Sequence, residues 1–597
     1  MFQALALLLM IIPTVAWAGT ATGVKNVIVM VPDGCHASIQ TLARWVKGAP
    51  LALDEINTGA VKTHMANSVI TGSAAAATAF ATGHKTSAHF LSVGPKTEDL
   101  LSTYTPEAGA APYVPLASVL EGAKLMGKAT GLVATSRVTY ATPAAFASHF
   151  HGREMENELM EQMVYQDMDV VFGGGKRHLL PVDQEGGLRT DGEDLLGILR
   201  DRGYRFVETK SEMEALTGGR VWGLFSSSHL SPDTDRAEFG PTEPSLAEMT
   251  TKALEILSED PDGFFLMIEG SQVDLAAHAN DPIYMVTEFL SFDAAVRVAL
   301  DFAKWSDNTL LLVFPDHTTG GLSIGNWRTD YTYTATTVED VLAPLEGMKI
   351  TSFGVGKKIG GDQSPANIKA QILEWWGIEA TYGDIREIRM AMRKGQSIEY
   401  ALAHVISKNH TVFGWTTHGH SGGDVPLWSY GPHRMVGLYD NTELAQGVAN
   451  AFGFDLSKVN ERLFVDADTV SASVAVDMKD PENPVLKIRG ASLPCSKDIL
   501  ILGGKTYRLE GIVVHAPEIG KVFIPQEAVN IINGNEALPD ISADETLTDP
   551  EMCASYDFFT GVMHVPCFDD GADSYWLDLQ LVPGDAVLFE LIGWGYN

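Results

Sequence analysis

The chain has 597 residues, too many for one ordinary hydrophobic core, so one large domain with sizeable additions or several domains is expected. Hydrophobic residues make up 45% and aromatics 9%, enough apolar surface for a packed interior, which excludes a disordered chain. A formal charge of −34 argues against nucleic acid or an anionic membrane as a partner.

Met1 to Ala18 is an apolar run from Ala4 to Val15 followed by Ala16-Trp17-Ala18, the pattern of a secretory signal with an A-x-A cleavage site, although no Lys or Arg precedes the run. The run is too short to span a bilayer, and no later stretch of about 20 apolar residues exists. A periplasmic or secreted protein without a membrane span is the expectation. Cys35 lies near the start and Cys495, Cys553 and Cys567 near the end, so at most one disulfide is expected, Cys553 with Cys567.

Val24 to Met30 is a nearly continuous β-branched run ending at Val31-Pro32-Asp33-Gly34, which reads as a central strand with a carboxylate at its carboxyl end. Ile70 to Thr86 follows, with alanines between Ala74 and Ala81 as strong helix formers, Gly72-Ser73 in front and Gly83 to end the helix. Ser73 then stands on a helix N-terminus, whose free N–H groups and positive dipole suit a phosphate. Taken alone, the stretch equally describes an ordinary helix cap.

The strand pattern recurs. Ala129 to Ala134 leads into Thr135-Ser136-Arg137, Met168 to Phe172 ends at Gly173-Gly174-Gly175, and Phe264 to Ile268 ends at Glu269-Gly270. Leu310 to Phe314 ends at Pro315-Asp316-His317, and Val412 to Trp415 leads to His418-Gly419-His420. Helical patterns lie between, including a capping box at Ser245 and Glu248 and the stretch from Val286 to Phe302. This alternation predicts an α/β fold, a three-layer sandwich around a largely parallel central sheet. Residues 321–410 read as a cap insertion within a catalytic domain spanning 19–463. From Phe464 short β-branched runs such as Gly511 to Val514 and Lys521 to Ile524 indicate a separate β-rich C-terminal module, 464–597, not needed for chemistry.

Ligands of such sheets bind beyond the carboxyl ends of the strands, where Asp33, Glu269, Asp316, His317 and His420 fall. Asp274 and His278, at i and i+4, share one face of a helix and can hold one zinc. Asp33, Asp274, His278, Asp316, His317 and His420 together offer ligands for two zinc ions with open positions, a set suited to in-line phosphoryl displacement.

On these motifs the chain resembles the alkaline phosphatase family from about Lys25 to about Asp440. The resemblance covers Asp33-Gly34, Gly72-Ser73-Ala74 with Thr82-Gly83-His84-Lys85, Ala141-Thr142-Pro143 followed by His149 and Arg153, and Glu269 with Asp274 and His278. It continues through Asp316-His317 and His420-Ser421-Gly422-Gly423-Asp424-Val425-Pro426. It implies a phosphatase of small-molecule phosphate monoesters in which Ser73 becomes phosphoserine and Arg153 binds two phosphate oxygens. Asp274, His278 and His420 would hold one zinc, with His420 rather than His418 as ligand. Asp316, His317 and Asp33 would hold the second, and Asp33, Thr142 and Glu269 a magnesium. A homodimer is compatible with the resemblance.

Three positions depart from the family. Gly72 replaces an Asp that would steady Arg153, Tyr140 stands where members carry Asp or His, and Leu275 replaces a Lys or His. A phenol offers a hydrogen bond but neither charge nor nitrogen, so magnesium should be weakly held. A phosphodiesterase of the same superfamily has no need of Arg153, a sulfatase would require a Cys/Ser-x-Pro-x-Arg motif that Ser73 lacks, and an export signal disfavours a phosphoglycerate mutase. A non-catalytic exported metal-binding protein is the reading from a different class.

Overall fold

The computed structural model describes residues 24–106, 110–535 and 538–543, together with the backbone of four strands between 555 and 596. The expected signal, Met1 to Ala18, and the Cys553–Cys567 pair lie outside the described residues, while Cys35 and Cys495 are buried free thiols.

Ten strands form the central sheet: β1 Asn26–Pro32, β2 Asn57–Lys62, β3 Ala129–Arg137, β4 Val170–Gly174, β5 Arg205–Val207, β6 Val221–Leu224, β7 Phe264–Gly270, β8 Thr309–Val313, β9 Val425–Tyr430 and β10 Gly437–Asp440. Their order across the sheet is β10-β2-β9-β8-β1-β7-β3-β4-β6-β5, and β9 alone runs antiparallel to its neighbours. Because side chains alternate along a strand, Ile28 and Met30 of β1 enter one apolar core and Val27, Val29 and Val31 the other. Helices cover both faces, which gives the expected three-layer α/β sandwich.

On the first face the helix Leu246–Leu257, α2, starts with the expected capping box between Ser245 and Glu248 and buries Met249, Ala253 and Leu257. Beside it the long helix Pro282–Trp305, α4, buries Met285, Phe289, Phe292 and Val296. The second face carries α1, Ser73–Thr82, every residue of which is buried, with Phe80 edge-on to Phe314 at 5.1 Å. Its alanines allow that close packing, and Gly83, at φ 79°, ends it in the left-handed conformation.

Residues 338–410 form five helices, Val338–Glu346, Ser352–Ile359, Pro365–Trp376, Tyr382–Arg393 and Ile398–His410. Their apolar residues Val355, Ile368, Ile388 and Leu402 join the core of the first face. The run Val412 to Trp415, expected as a central strand, contributes only Phe413–Gly414, paired with Ser323–Ile324 outside the main sheet. The strand that continues the sheet is β9, ten residues further on.

The β-rich segment after Phe464 remains part of the first compact unit as far as Ile541, and 542–597 form a second unit. The meander of five antiparallel strands between Val474 and Arg508 has a small core around Leu486, Ile488, Leu493 and Leu500. Ile512, Val514, Phe523 and Ile541, however, pack into the core on the α1 side of the sheet. Arg508 pairs with Asp167 at 2.6 Å and Lys497 with the buried Glu161 at 3.3 Å. Composition changes at 464, but burial is continuous across it. The second unit carries one antiparallel sheet of four strands.

Truncation tests this continuity. A chain ending at residue 543 is expected to unfold cooperatively and keep its activity. One ending at 463 exposes the apolar patch under Val514 and Phe523 and strands Glu161, and is expected to be insoluble or to lose its cooperative thermal transition.

Candidate active site

Asp33 follows β1, Asp316 and His317 follow β8, and Glu269 lies near the end of β7, so the three central strands deliver buried acids to one end of the sheet. The helix Gln272–Ala279, α3, adds Asp274 and His278 one turn apart. Gly34, at φ 71°, makes the turn after Asp33, and a Cβ there would stand 2.8 Å from the Asp274 carboxylate and 2.9 Å from the Thr319 hydroxyl. Its N–H donates to Asp316 Oδ1 at 3.0 Å.

Two ligand clusters result. Asp274, His278 and His420 present atoms within 4.8 Å of one another, and so do Asp33, Asp316 and His317. In the first, His278 Nε2 lies 3.3 Å from Asp274 Oδ2, His420 Nε2 lies 3.7 Å from Asp274 Oδ1, and the two Nε2 atoms are 3.2 Å apart. In the second, His317 Nε2 is 3.0 Å from Asp316 Oδ2 and 3.5 Å from Asp33 Oδ1. The His317 and His420 rings stack at 3.7 Å.

Hydrogen bonds fix the ring protons of the first cluster. His278 Nδ1 donates to the His418 carbonyl and His420 Nδ1 to that of Thr71, 2.8 Å away, which leaves both Nε2 atoms as lone-pair acceptors. Two acceptors facing each other beside a carboxylate require a cation between them. Without one, His278 binds the proton: burial opposes this, but the bond and charge of Asp274 carry its pKa up to about 9. His420 is pushed down to about 4 by burial and by His317.

A third set has the same need. Both oxygens of Asp33, Thr142 Oγ1, Glu269 Oε1 and Asp316 Oδ2 are buried with no hydrogen-bond partner among the described residues. Ser271 donates to Glu269 Oε2 at 2.5 Å and Ser136 at 3.3 Å, so one oxygen of Glu269 is satisfied and the other is not. Burial, and then the charges of Asp316, Asp274 and Glu269, push the Asp33 carboxyl well above its usual range. Glu269 rises to about 7, chiefly through burial. Orphaned buried carboxylates cost several kcal/mol each unless a cation or a proton meets them, so the donor set fits divalent metals.

Ser73 is the first residue of α1, and its hydroxyl lies 3.1 Å from His317 Nε2. Gly72, the residue before the helix, caps no amide with a side chain; Ala76 N–H donates to the Gly72 carbonyl, and the amides of Ser73 to Ala75 have no helical acceptor. A cleft of about 510 Å³ opens above, lined by Ser73, Asp274, His278 and His420 together with Arg137, Tyr140 and Arg153.

The architecture and this constellation agree with known proteins. The family model described as alkaline phosphatase matches residues 24–454. The chain belongs to the alkaline phosphatase family. It is 33% identical over 469 residues to alkaline phosphatase 3 of Bacillus subtilis, covering 74% of this chain and 92% of that one. It is likewise 33% identical over 488 residues to the repressible alkaline phosphatase of Saccharomyces cerevisiae, at 73% and 83% coverage. Among solved structures, the alkaline phosphatase of Thermus thermophilus superposes with a TM-score of 0.63 at 27% identity over 72% of this chain and 92% of that one. The cold-active enzyme of a Shewanella species gives 0.60 at 28%, over 72% and 99%.

The sequence-predicted candidate ligands Asp33, Asp274, His278, Asp316, His317 and His420 come together, with Glu269 and Thr142 beside them. His149 of the family motif turns inward instead, bonded to Glu121 and to the Ser92 carbonyl at 3.0 Å each. Leu275 packs against the core of the first face. Sequence reasoning missed Thr319, whose hydroxyl donates to Asp274 at 2.5 Å and meets His317 Nδ1 at 3.2 Å. It also missed Arg137, at the end of β3, and the cleft residues His89, Glu154 and Glu156. Proximity to Asp316-His317 was the one available signal for Thr319.

Metal analysis separates His418 from His420. If His420 is a ligand, as its place in the first cluster implies, His420→Ala should cost that site its ion. His418→Ala keeps the backbone carbonyl that orients the His278 ring and removes only the bond from His418 Nδ1 to the His278 carbonyl at 2.8 Å, so it should weaken the same site by at most about 10–100-fold. Equal zinc loss in both variants contradicts this division.

Proposed function

We propose that the protein is an exported phosphomonoesterase that passes a phosphoryl group from its substrate to Ser73 and then to water, at a site for two zinc ions and one magnesium. The observation that carries this reading is the Ser73 hydroxyl, on a helix N-terminus, against His317 and in one cleft with Arg153 and the first ligand cluster.

Asp274, His278 and His420 would hold one zinc, Asp33, Asp316 and His317 the other, and Asp33, Thr142 and Glu269 the magnesium, which assigns an ion to the orphaned oxygens of Asp33, Thr142, Glu269 and Asp316. Bound zinc supplies the lowered oxygen pKa and the charge stabilisation that phosphoryl transfer requires. Ser73 Oγ attacks phosphorus as the ester bond to the leaving alcohol breaks, giving phosphoserine; water then breaks the serine–phosphorus bond and inorganic phosphate departs. The free amides and dipole of α1 face that anion from behind Ser73. Arg153 can give two parallel N–H bonds to the non-bridging oxygens, and its positive charge favours a dianionic monoester over a monoanionic diester. Among the described residues no helix is long and apolar enough to cross a membrane.

The reading predicts chelator-sensitive hydrolysis of an aryl phosphomonoester in strong preference to its diester, and the reverse preference overturns it. Ser73→Ala should lose several powers of ten in turnover with zinc content intact, leaving residual hydrolysis.

Magnesium gives a separate test. With Tyr140 supplying no charge, dialysis should remove magnesium before zinc, and added magnesium should then restore activity. Stoichiometric magnesium after dialysis contradicts a weak site.

A further inference from the structure

Of the two arginines that line the cleft, Arg137 is paired with an acid, Glu156, and Arg153 is not. The Arg153 backbone N–H is fixed to the His89 carbonyl at 3.0 Å, but among the described residues no carboxylate or carbonyl accepts from its guanidinium. The group that meets it is an aromatic face: the guanidinium carbon lies 4.7 Å from the centre of the Tyr140 ring. Sequence alone accounts for the missing acid, because Gly72 occupies the place before the nucleophile where a steadying carboxylate is expected.

The Tyr140 ring is itself held from several sides. Tyr140 N–H donates to the Arg137 carbonyl at 2.9 Å, and its own carbonyl accepts from Ala144 N–H at 3.0 Å, which sets the backbone. His229 meets the ring edge-on, with centroids 5.2 Å apart and planes at 89°. Arg137 stands 5.4 Å from the ring and is anchored by Glu156 at 2.6 Å and by His229 Nε2 at 2.7 Å. The ring is thus braced by Arg137, which is paired with Glu156, and by His229, while Arg153 meets it with no acid partner of its own.

We propose that Tyr140 is the positioning residue for Arg153, holding the guanidinium by its face so that every N–H remains free for phosphate. A carboxylate would steady an arginine by taking up two of its five in-plane donors and offsetting its charge. An aromatic face steadies it through the ring quadrupole and uses none of them. Holding the side chain in place also lessens the rotamer freedom lost when phosphate binds. The proposal rests on the reading that this cleft takes a phosphate group.

The test is binding of inorganic phosphate to the zinc-loaded protein by calorimetry, alongside KM and kcat for an aryl phosphate. Tyr140→Leu should weaken phosphate about five- to tenfold and raise KM more than it lowers kcat. Tyr140→Phe keeps the ring and should rescue most of that loss. In an Arg153→Ala background, Tyr140→Leu should have no further effect on phosphate affinity. The proposal is overturned if Tyr140→Leu binds phosphate like the wild type, if Tyr140→Phe behaves like Tyr140→Leu, or if the loss persists without Arg153. Should Tyr140→Leu fail to fold, Tyr140→Met serves in the same comparisons. Phosphate binding with this pattern but without hydrolysis would overturn the phosphatase reading and leave the role of Tyr140 standing.

Discussion

Four carboxylates, Asp33, Glu269, Asp274 and Asp316, are buried at one end of the sheet, and both oxygens of Asp33 and one each of Glu269 and Asp316 have no hydrogen-bond partner among the described residues. Removing one such charge from water costs several kcal/mol, and gathering four raises the cost through mutual repulsion. Cations relieve both terms together. The pKa shifts express the same conflict: Asp33 and Glu269 are driven toward protonation while Asp274 is held ionised, after its own burial penalty, by His278, His317 and His420. The site is therefore built for metal before any substrate is considered.

The sheet order makes that concentration feasible. β8, β1 and β7 are adjacent and parallel, so their carboxyl ends lie side by side and three separated chain segments deliver their acids to one place. The strands and α1 are buried throughout, and so rigid a frame can hold ligands at fixed spacing. The same burial presents Ser73. An all-buried helix of small residues cannot rotate without opening voids, so its first hydroxyl stays against His317.

The departures at Gly72, Tyr140 and Leu275 change how phosphate is met more than how metal is held. Leu275 is absorbed into the core, so one auxiliary contact is simply absent. Gly72 removes a carboxylate near Arg153, and Tyr140 exchanges a metal-ligand position for an aromatic face against that arginine. Both of the last changes leave positive charge on the cleft wall less compensated, in a protein whose net charge is strongly negative.

Much of this was legible in the sequence because the signals were local. A β-branched run ending in an acid, a capping box at Ser245 and Glu248, and alanines between Gly72 and Gly83 each state their own conformation. Asp274 and His278 share a helix face by spacing alone. Residue types and family motifs together named the candidate ligands that the fold brings together, yet not how their protons are arranged. The rest depended on partners far away in the chain. Phe413–Gly414 forms a short ladder because Ser323–Ile324 lies beside it, and β2 joins the main sheet because β9, more than 360 residues later, pairs with it. The lone pairs of His278 and His420 are set by the carbonyls of His418 and Thr71, and Arg153 meets Tyr140 only once the turn after β3 is folded. Local propensity fixes which segments become strands and helices; sheet pairing and burial are non-local, so which side chains share a site is decided only when those segments pack.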